Sequence, residues 1–274
     1  MKKFIVLLML TAVLLSGCAK TAEATKDTAT YDEQKRIASP DEAVTEPPTE
    51  PPTEPPTLDE LAQARYDAIL SGELSGNFDV IDNVEPLGQL NGMQAGCEAM
   101  ALTAALNHFG YELGIDDIVD DYMVYADNFV TGYVGNPRRF YEGAGIYPPG
   151  ILTTIWNFIE ENDADLYPFD TTGLSMGELY KFVQAGCPVL VWTSYNRERP
   201  YIEQTYEYEG ISYPWFSSEH CVCLHGYDLE DDEVKVADSW NYGSDNWEDA
   251  SRFEDVYDTI GRFSVVLMDI SDLY

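Results

Sequence analysis

The chain has 274 residues, 15 Lys+Arg against 49 Asp+Glu, a formal net charge of -34 and 45% hydrophobic residues. So anionic a chain lacks the basic footprint that phosphates require, which excludes nucleic acid as a partner, and it repels anionic lipid headgroups. The apolar fraction suffices for one folded domain beside a disordered part.

In chain order, Met1 to Gly17 reads as a signal segment. Lys2 and Lys3 precede an apolar run, Phe4 to Leu15, that is too short to span a bilayer comfortably. The run ends in Leu15-Ser16-Gly17-Cys18, which resembles the lipobox of bacterial lipoproteins. That resemblance implies acylation of Cys18 and a lipid anchor on the outer face of the bacterial cell membrane, since two or more acyl chains hold a protein stably there. Residues 18–57 read as a disordered linker ending in Thr45-Glu-Pro-Pro-Thr-Glu-Pro-Pro-Thr-Glu-Pro-Pro-Thr57. Proline pairs favour polyproline II, so at about 3.1 Å per residue the linker reaches on the order of 100 Å.

The folded domain is expected over residues 58–274. Thr57-Leu-Asp-Glu60 is a capping box for a helix closed by Gly72. Cys97 to His108 is rich in alanine and leucine and is stopped by Gly110, and Asp116 to Ala126 reads as a further helix. Residues 127–147 read as a long ordered loop. Pro148-Pro149 opens a helix through Ile159, and Ser175-Met-Gly-Glu178 caps another that ends at Gly186. Strands follow at 188–195, 219–227, 233–238 and 263–270, with an aromatic strand or hairpin at 205–215. Helices first and antiparallel strands afterwards define an α+β domain.

The chemistry-bearing candidates are few. Cys97 stands at a helix N-terminus, where the macrodipole and unpaired N–H groups favour a thiolate. Of the three histidines, His108 is about 16 Å down the same helix and out of reach. His220 and His225 differ in strand parity, so only one faces the thiol. A turn centred near Leu229-Glu230 sets His220 opposite Asp238, with Cβ atoms about 5 Å apart, close enough for the carboxylate to accept from imidazole Nδ1–H. Trp240 then stands where it would shield that bond. Cys221, Cys223 and His225 along one strand are too far apart for zinc, the acidic runs lack a calcium-loop pattern, and no phosphate-binding loop occurs. No cofactor or metal is expected, and the four cysteines after Cys18 are expected to be free thiols.

Gln89 eight positions before Gly96-Cys97-Glu98, Gly143-Ala-Gly-Ile-Tyr-Pro-Pro149, Gly186-Cys-Pro-Val-Leu-Val-Trp192, Glu219-His-Cys-Val-Cys-Leu-His-Gly-Tyr-Asp228 and Ala237-Asp238 are spaced blocks. In order, they resemble the papain-like peptidases related to the double-glycine leader peptidases of bacteriocin exporters, in their stand-alone secreted branch. The resemblance implies a papain-like fold and hydrolysis of a peptide or protein substrate through a thioester. It implies Cys97 as nucleophile, His220 as base, Asp238 as orienting acid and Gln89 as oxyanion donor, with Gln94 the alternative for that last role. Glu98 replaces the glycine usual in the exporter domains. Two other readings share the fold: a non-catalytic module binding peptide or cell wall, and a cell-wall amidase or transpeptidase.

Overall fold

The computed structural model describes residues 55–273 apart from Asn241. The signal segment, Cys18 and most of the linker lie outside the described residues.

Both capping boxes form. Glu60 N–H donates to Thr57 Oγ1 at 3.3 Å and Thr57 N–H to Glu60 Oε2 at 2.8 Å, which starts helix α1 (Leu58–Ser71). After the short strand β1 (Phe78–Val80) comes α2 (Cys97–His108), buried on every side from Cys97 to Leu106. Its alanines let neighbouring elements approach closely, and the helix runs through the core instead of lying on it. A two-stranded ribbon, β2 (Val134–Gly135) with β3 (Gly143–Gly145), occupies part of the expected loop. Helix α3 (Pro148–Asn162) opens on two prolines whose missing N–H groups no helix start needs, and α4 (Met176–Gln184) opens on the Ser175–Glu178 box.

The remaining strands are β4 (Leu166–Asp170), β5 (Val189–Ser194), β6 (Ile202–Tyr208), β7 (Ile211–Phe216), β8 (Glu219–Asp228), β9 (Glu233–Asp238), β10 (Ser244–Asp249) and β11 (Ser264–Asp269), with helix α5 (Ala250–Ile260) before the last. Seven of these strands form one antiparallel sheet in the order β10-β9-β8-β5-β11-β4, with β1 taking the end of β8 that β5 leaves. Strands β6 and β7 pair as a separate hairpin. Strand β8 is buried from His220 to Tyr227 and α2 packs on it, so the sheet centre and the cysteine helix share one core.

Three local expectations change. The helix over 116–126 shrinks to a single π turn, Ile118–Tyr122, because Val124 N–H donates outward to Thr154 Oγ1 at 3.2 Å. Strands β4 and β10 add to the expected set. The first carries Pro168 and the second is mostly polar, and both lie at sheet edges, where proline and charge are tolerated. Finally, the β8–β9 register is not the expected one. Asp228 pairs with Glu233 at the turn, and a bulge at His225 shifts the pairing to Leu224↔Val236 and Cys223↔Ala237. His220 therefore lies diagonal to Asp238 and not opposite it. Without the bulge Asp238 would point to the other face of the sheet, because a one-residue slip inverts every side chain.

Candidate active site

One wall of a cleft of about 530 Å³ is formed by the start of α2 and the other by the first residues of β8 and the segment after β9; Gln89, Cys97, Glu219, His220 and Trp240 all line it. On the β8 side the diagonal register is well used. His220 Nε2 donates to Asp238 Oδ1 at 2.6 Å, and the residue is 1% exposed. The nitrogen facing the acid is Nε2, where the expectation was Nδ1, because the diagonal approach brings the carboxylate to the far side of the ring. Nδ1 is thereby left without the acid. Trp240 N–H donates to the same Oδ1 at 2.7 Å and its ring stands edge-on to His220 at 6.1 Å.

Asp238 has a partner that the sequence did not reveal. Arg197 Nη2 donates to Asp238 Oδ2 at 2.7 Å, while its Nε and Nη2 donate to Glu248 at 2.6 and 2.9 Å and its Nη1 to Ser194 O at 2.6 Å. Burial would raise the Asp238 carboxyl, but the His220 ring, Arg197 and the Trp240 N–H outweigh it and hold the group well below the usual carboxylate range. The only sequence signal for Arg197 was its place after a buried strand, because it is a left-handed turn residue (φ 54) far from Asp238 in the chain.

Gln89 is 2% exposed and sits in a 3-10 turn, Gln89–Asn91. Ser239 Oγ donates to its Oε1 at 2.7 Å and its own N–H donates to Ser239 O at 2.9 Å, so its amide NH₂ end is held on the cleft side, with one N–H donating to Gln94 O at 3.2 Å. Gly88 makes this clamp possible, since any Cβ there would run into the backbone of Tyr242. Gln94 also lines the cleft, and its Oε1 accepts from Phe140 N–H at 3.5 Å.

The cysteine side is different. Cys97 Sγ donates to Glu98 Oε2 at 3.3 Å, and no hydrogen bond joins it to His220 among the described residues. Alternation along β8 turns Glu219 and Cys221 towards the sulfur and His220 towards Asp238. Glu98 is wholly buried, accepts from Ile146 N–H at 2.8 Å through Oε1, and is pushed up to about 7 by burial. Gly145 (φ 147) admits that carboxyl, since a Cβ there would come within 2.5 Å of Glu98 Oε1. Burial, then Glu98 and Glu219, pushes the Cys97 thiol well up, contrary to the lowering expected from the helix N-terminus. Desolvation and two carboxylates outweigh a half-charge at the helix end.

The other candidates fall outside the cleft. His108 Nδ1 meets Asp82 O at 2.9 Å. His225, at the bulge, is buried between Ile81 O at 3.0 Å and Asp245 Oδ1 at 2.8 Å. Cys187, Cys221 and Cys223 are buried free thiols, as is Cys97.

A cysteine at the mouth of a core helix, packed on an antiparallel sheet that carries a histidine–aspartate pair, defines the papain-like class of α+β fold. Within it, the model of the Peptidase C39-like family matches residues 81–265, and the chain belongs to that family. The uncharacterized protein YvpB of Bacillus subtilis (strain 168) is 26% identical over 179 residues, 63% of this chain and 68% of that protein. The crystal structure of a Bacillus anthracis protein assigned as a C39-like peptidase superposes with a TM-score of 0.59 at 26% identity, covering 70% of this chain and 98% of that one.

Proposed function

We propose that this protein is a working cysteine peptidase, tethered through acylated Cys18 and the linker of residues 18–57 to the outer face of the cell membrane. The observation that carries the reading is the buried His220–Asp238 pair in the wall of the cleft that Cys97 also lines. Among the described residues no helix is long and apolar enough to cross a membrane.

In this mechanism the Cys97 side chain rotates from Glu98 towards the cleft and gives its proton to Nδ1 of His220. Hydrogen bonds of this kind often tighten only with substrate bound. The thiolate attacks the scissile carbonyl carbon, and the oxyanion is met by the Cys97 backbone N–H and the Gln89 amide. As the C–N bond breaks, the imidazolium protonates the departing amine and a thioester to Cys97 remains. His220 then takes a proton from water, whose oxygen attacks the thioester, and the thiol and carboxylic acid are released. Asp238 keeps the ring oriented throughout.

One observation favours a non-catalytic peptide-binding module instead: the thiol rests on Glu98, an anion that discourages ionisation. Alkylation of Cys97 at neutral pH separates the two. Catalysis requires labelling much faster than at Cys187, whose thiol burial pushes up to about 12, and requires the excess to vanish in His220→Ala. Labelling of Cys97 as slow as that of Cys187 would establish the binding module.

A further inference from the structure

The cleft carries a charge imbalance that the hydrolytic steps leave unused. Its lining includes the carboxylates of Glu203 and Glu219, and no lysine or arginine among the described residues. Glu98 lies beside Glu219, the nearest ligand-forming atoms of Cys97, Glu98 and Glu219 being within 4.8 Å of one another. Glu219 Oε1 is closed off from solvent and has no hydrogen-bond partner.

Among the described residues no cation is left to meet these carboxylates. Each of the nine lysines and arginines from residue 55 onward is engaged elsewhere, seven in ion pairs and the other two on backbone carbonyls: Lys181 on Leu70, and Arg252 on Asn196 and Arg197.

The rim of the same cleft is aromatic. Tyr141, Phe140, Trp240 and Tyr195 touch in sequence at 5.1, 6.5 and 4.8 Å between ring centres, and Tyr141 is 95% exposed. Aromatic faces attract ammonium and guanidinium groups. An apolar substrate side chain would leave Glu219 unpaired, and an acidic one would add a like charge to a crowded site.

We infer that the cleft selects a peptide segment bearing lysine or arginine beside the bond to be cut, its cation received by Glu219 and Glu203 between the aromatic rings. The inference rests on the peptidase reading only for the word "cut"; the preference itself is a property of binding. The net charge of -34 steers such segments inward from a distance. Once seated, the cation offsets the carboxylates that hold the thiol proton, so the preferred substrate also favours thiolate formation.

The test uses the full chain carrying Cys97→Ala and fluorescent peptide pools that differ only in a central Lys, Arg, norleucine or Glu. Binding by anisotropy is expected to be about tenfold tighter for Lys and Arg than for norleucine, and weakest for Glu. Glu219→Gln and, separately, Glu203→Gln should collapse the ratio, whereas Glu160→Gln with Glu161→Gln at the exposed end of α3 should leave it. Glu203 is exposed, so its variant reports even if Glu219→Gln does not fold. Equal binding of the Lys and norleucine pools, or an equal loss in the α3 variant, overturns the inference by reducing it to bulk charge. If the wild type leaves the preferred pool intact while the preference persists, the peptidase reading falls and the inference stands.

Discussion

Two clusters in the cleft meet opposite electrostatic problems. Around Asp238 the charges are matched: the carboxylate accepts from His220, Trp240 and Arg197, and Arg197 is shared with Glu248. Around the Cys97 sulfur two carboxyls, Glu98 of α2 and Glu219 of β8, crowd the thiol with no cation beside them among the described residues, and Glu219 Oε1 has no hydrogen-bond partner. The first cluster is complete before anything binds. The second is uncompensated, and burial pushes Glu98 up to about 7 and Glu219 and Cys97 well up. Orientation is thus supplied by the protein, and the counter-charge is left to the substrate.

The comparison breaks most sharply at the reacting atoms. Cys97→Ala is expected to abolish peptide hydrolysis, and His220→Ala to lower kcat/KM by about 10³-fold or more, with circular dichroism unchanged. A His220→Ala variant that cuts peptides at the wild-type rate would detach the Asp238 cluster from the chemistry.

Arg197→Met tests whether that cluster depends on its cation. It strands the buried Asp238 and the half-buried Glu248, and removing one partner from a buried ion pair costs about 3–5 kcal/mol. Urea unfolding measures the loss. Arg197→Lys should recover only part of it, because a point charge cannot serve Asp238 and Glu248 in the forked geometry.

Glu98→Gln sharpens the contrast through pH. The folded-state carboxyl titrates at about 7, above the unfolded value of about 4.3. Folding therefore favours the proton: this contribution is complete below the unfolded value and is lost as pH rises through 7. The change is on the order of 3 kcal/mol, read as wild-type stability falling from mildly acid to mildly alkaline urea titrations more than that of Glu98→Gln. Asp238 works with the opposite sign, since its lowered carboxyl stabilises the fold above the ordinary aspartate range and ceases to do so in strong acid. The same Glu98→Gln variant should alkylate faster at Cys97, as one anion beside the thiol is gone. At the small end, Arg139→Ala removes an exposed pair with Glu142 at 3.7 Å and should alter stability by no more than about 0.5 kcal/mol.

Much of this was legible in the chain itself. Thr57, Ser175, Pro148 and Gly110 marked helix limits because capping acts within a few residues. Cys97 and the β8 pattern stood out because a buried helix and a two-sided strand leave continuous apolar runs. Helix α5 carries the same kind of signal: Asp249 accepts from Arg252 N–H at 2.7 Å at its start and Gly261 (φ 107) ends it.

The amino-acid order by itself determined the class of fold, the nucleophile candidate and the choice of His220 over His108. Local propensities and short-range hydrogen bonds are written along the chain, and the spaced blocks add the family resemblance to them. Only the tertiary structure decided that a bulge at His225 turns Asp238 to the face of His220, that Arg197 completes the pair, and that Glu98 and Glu219 converge on the sulfur. A register slip and the burial of a charge depend on what packs against a residue from distant segments, and no spacing in the sequence encodes the desolvation that then governs its chemistry.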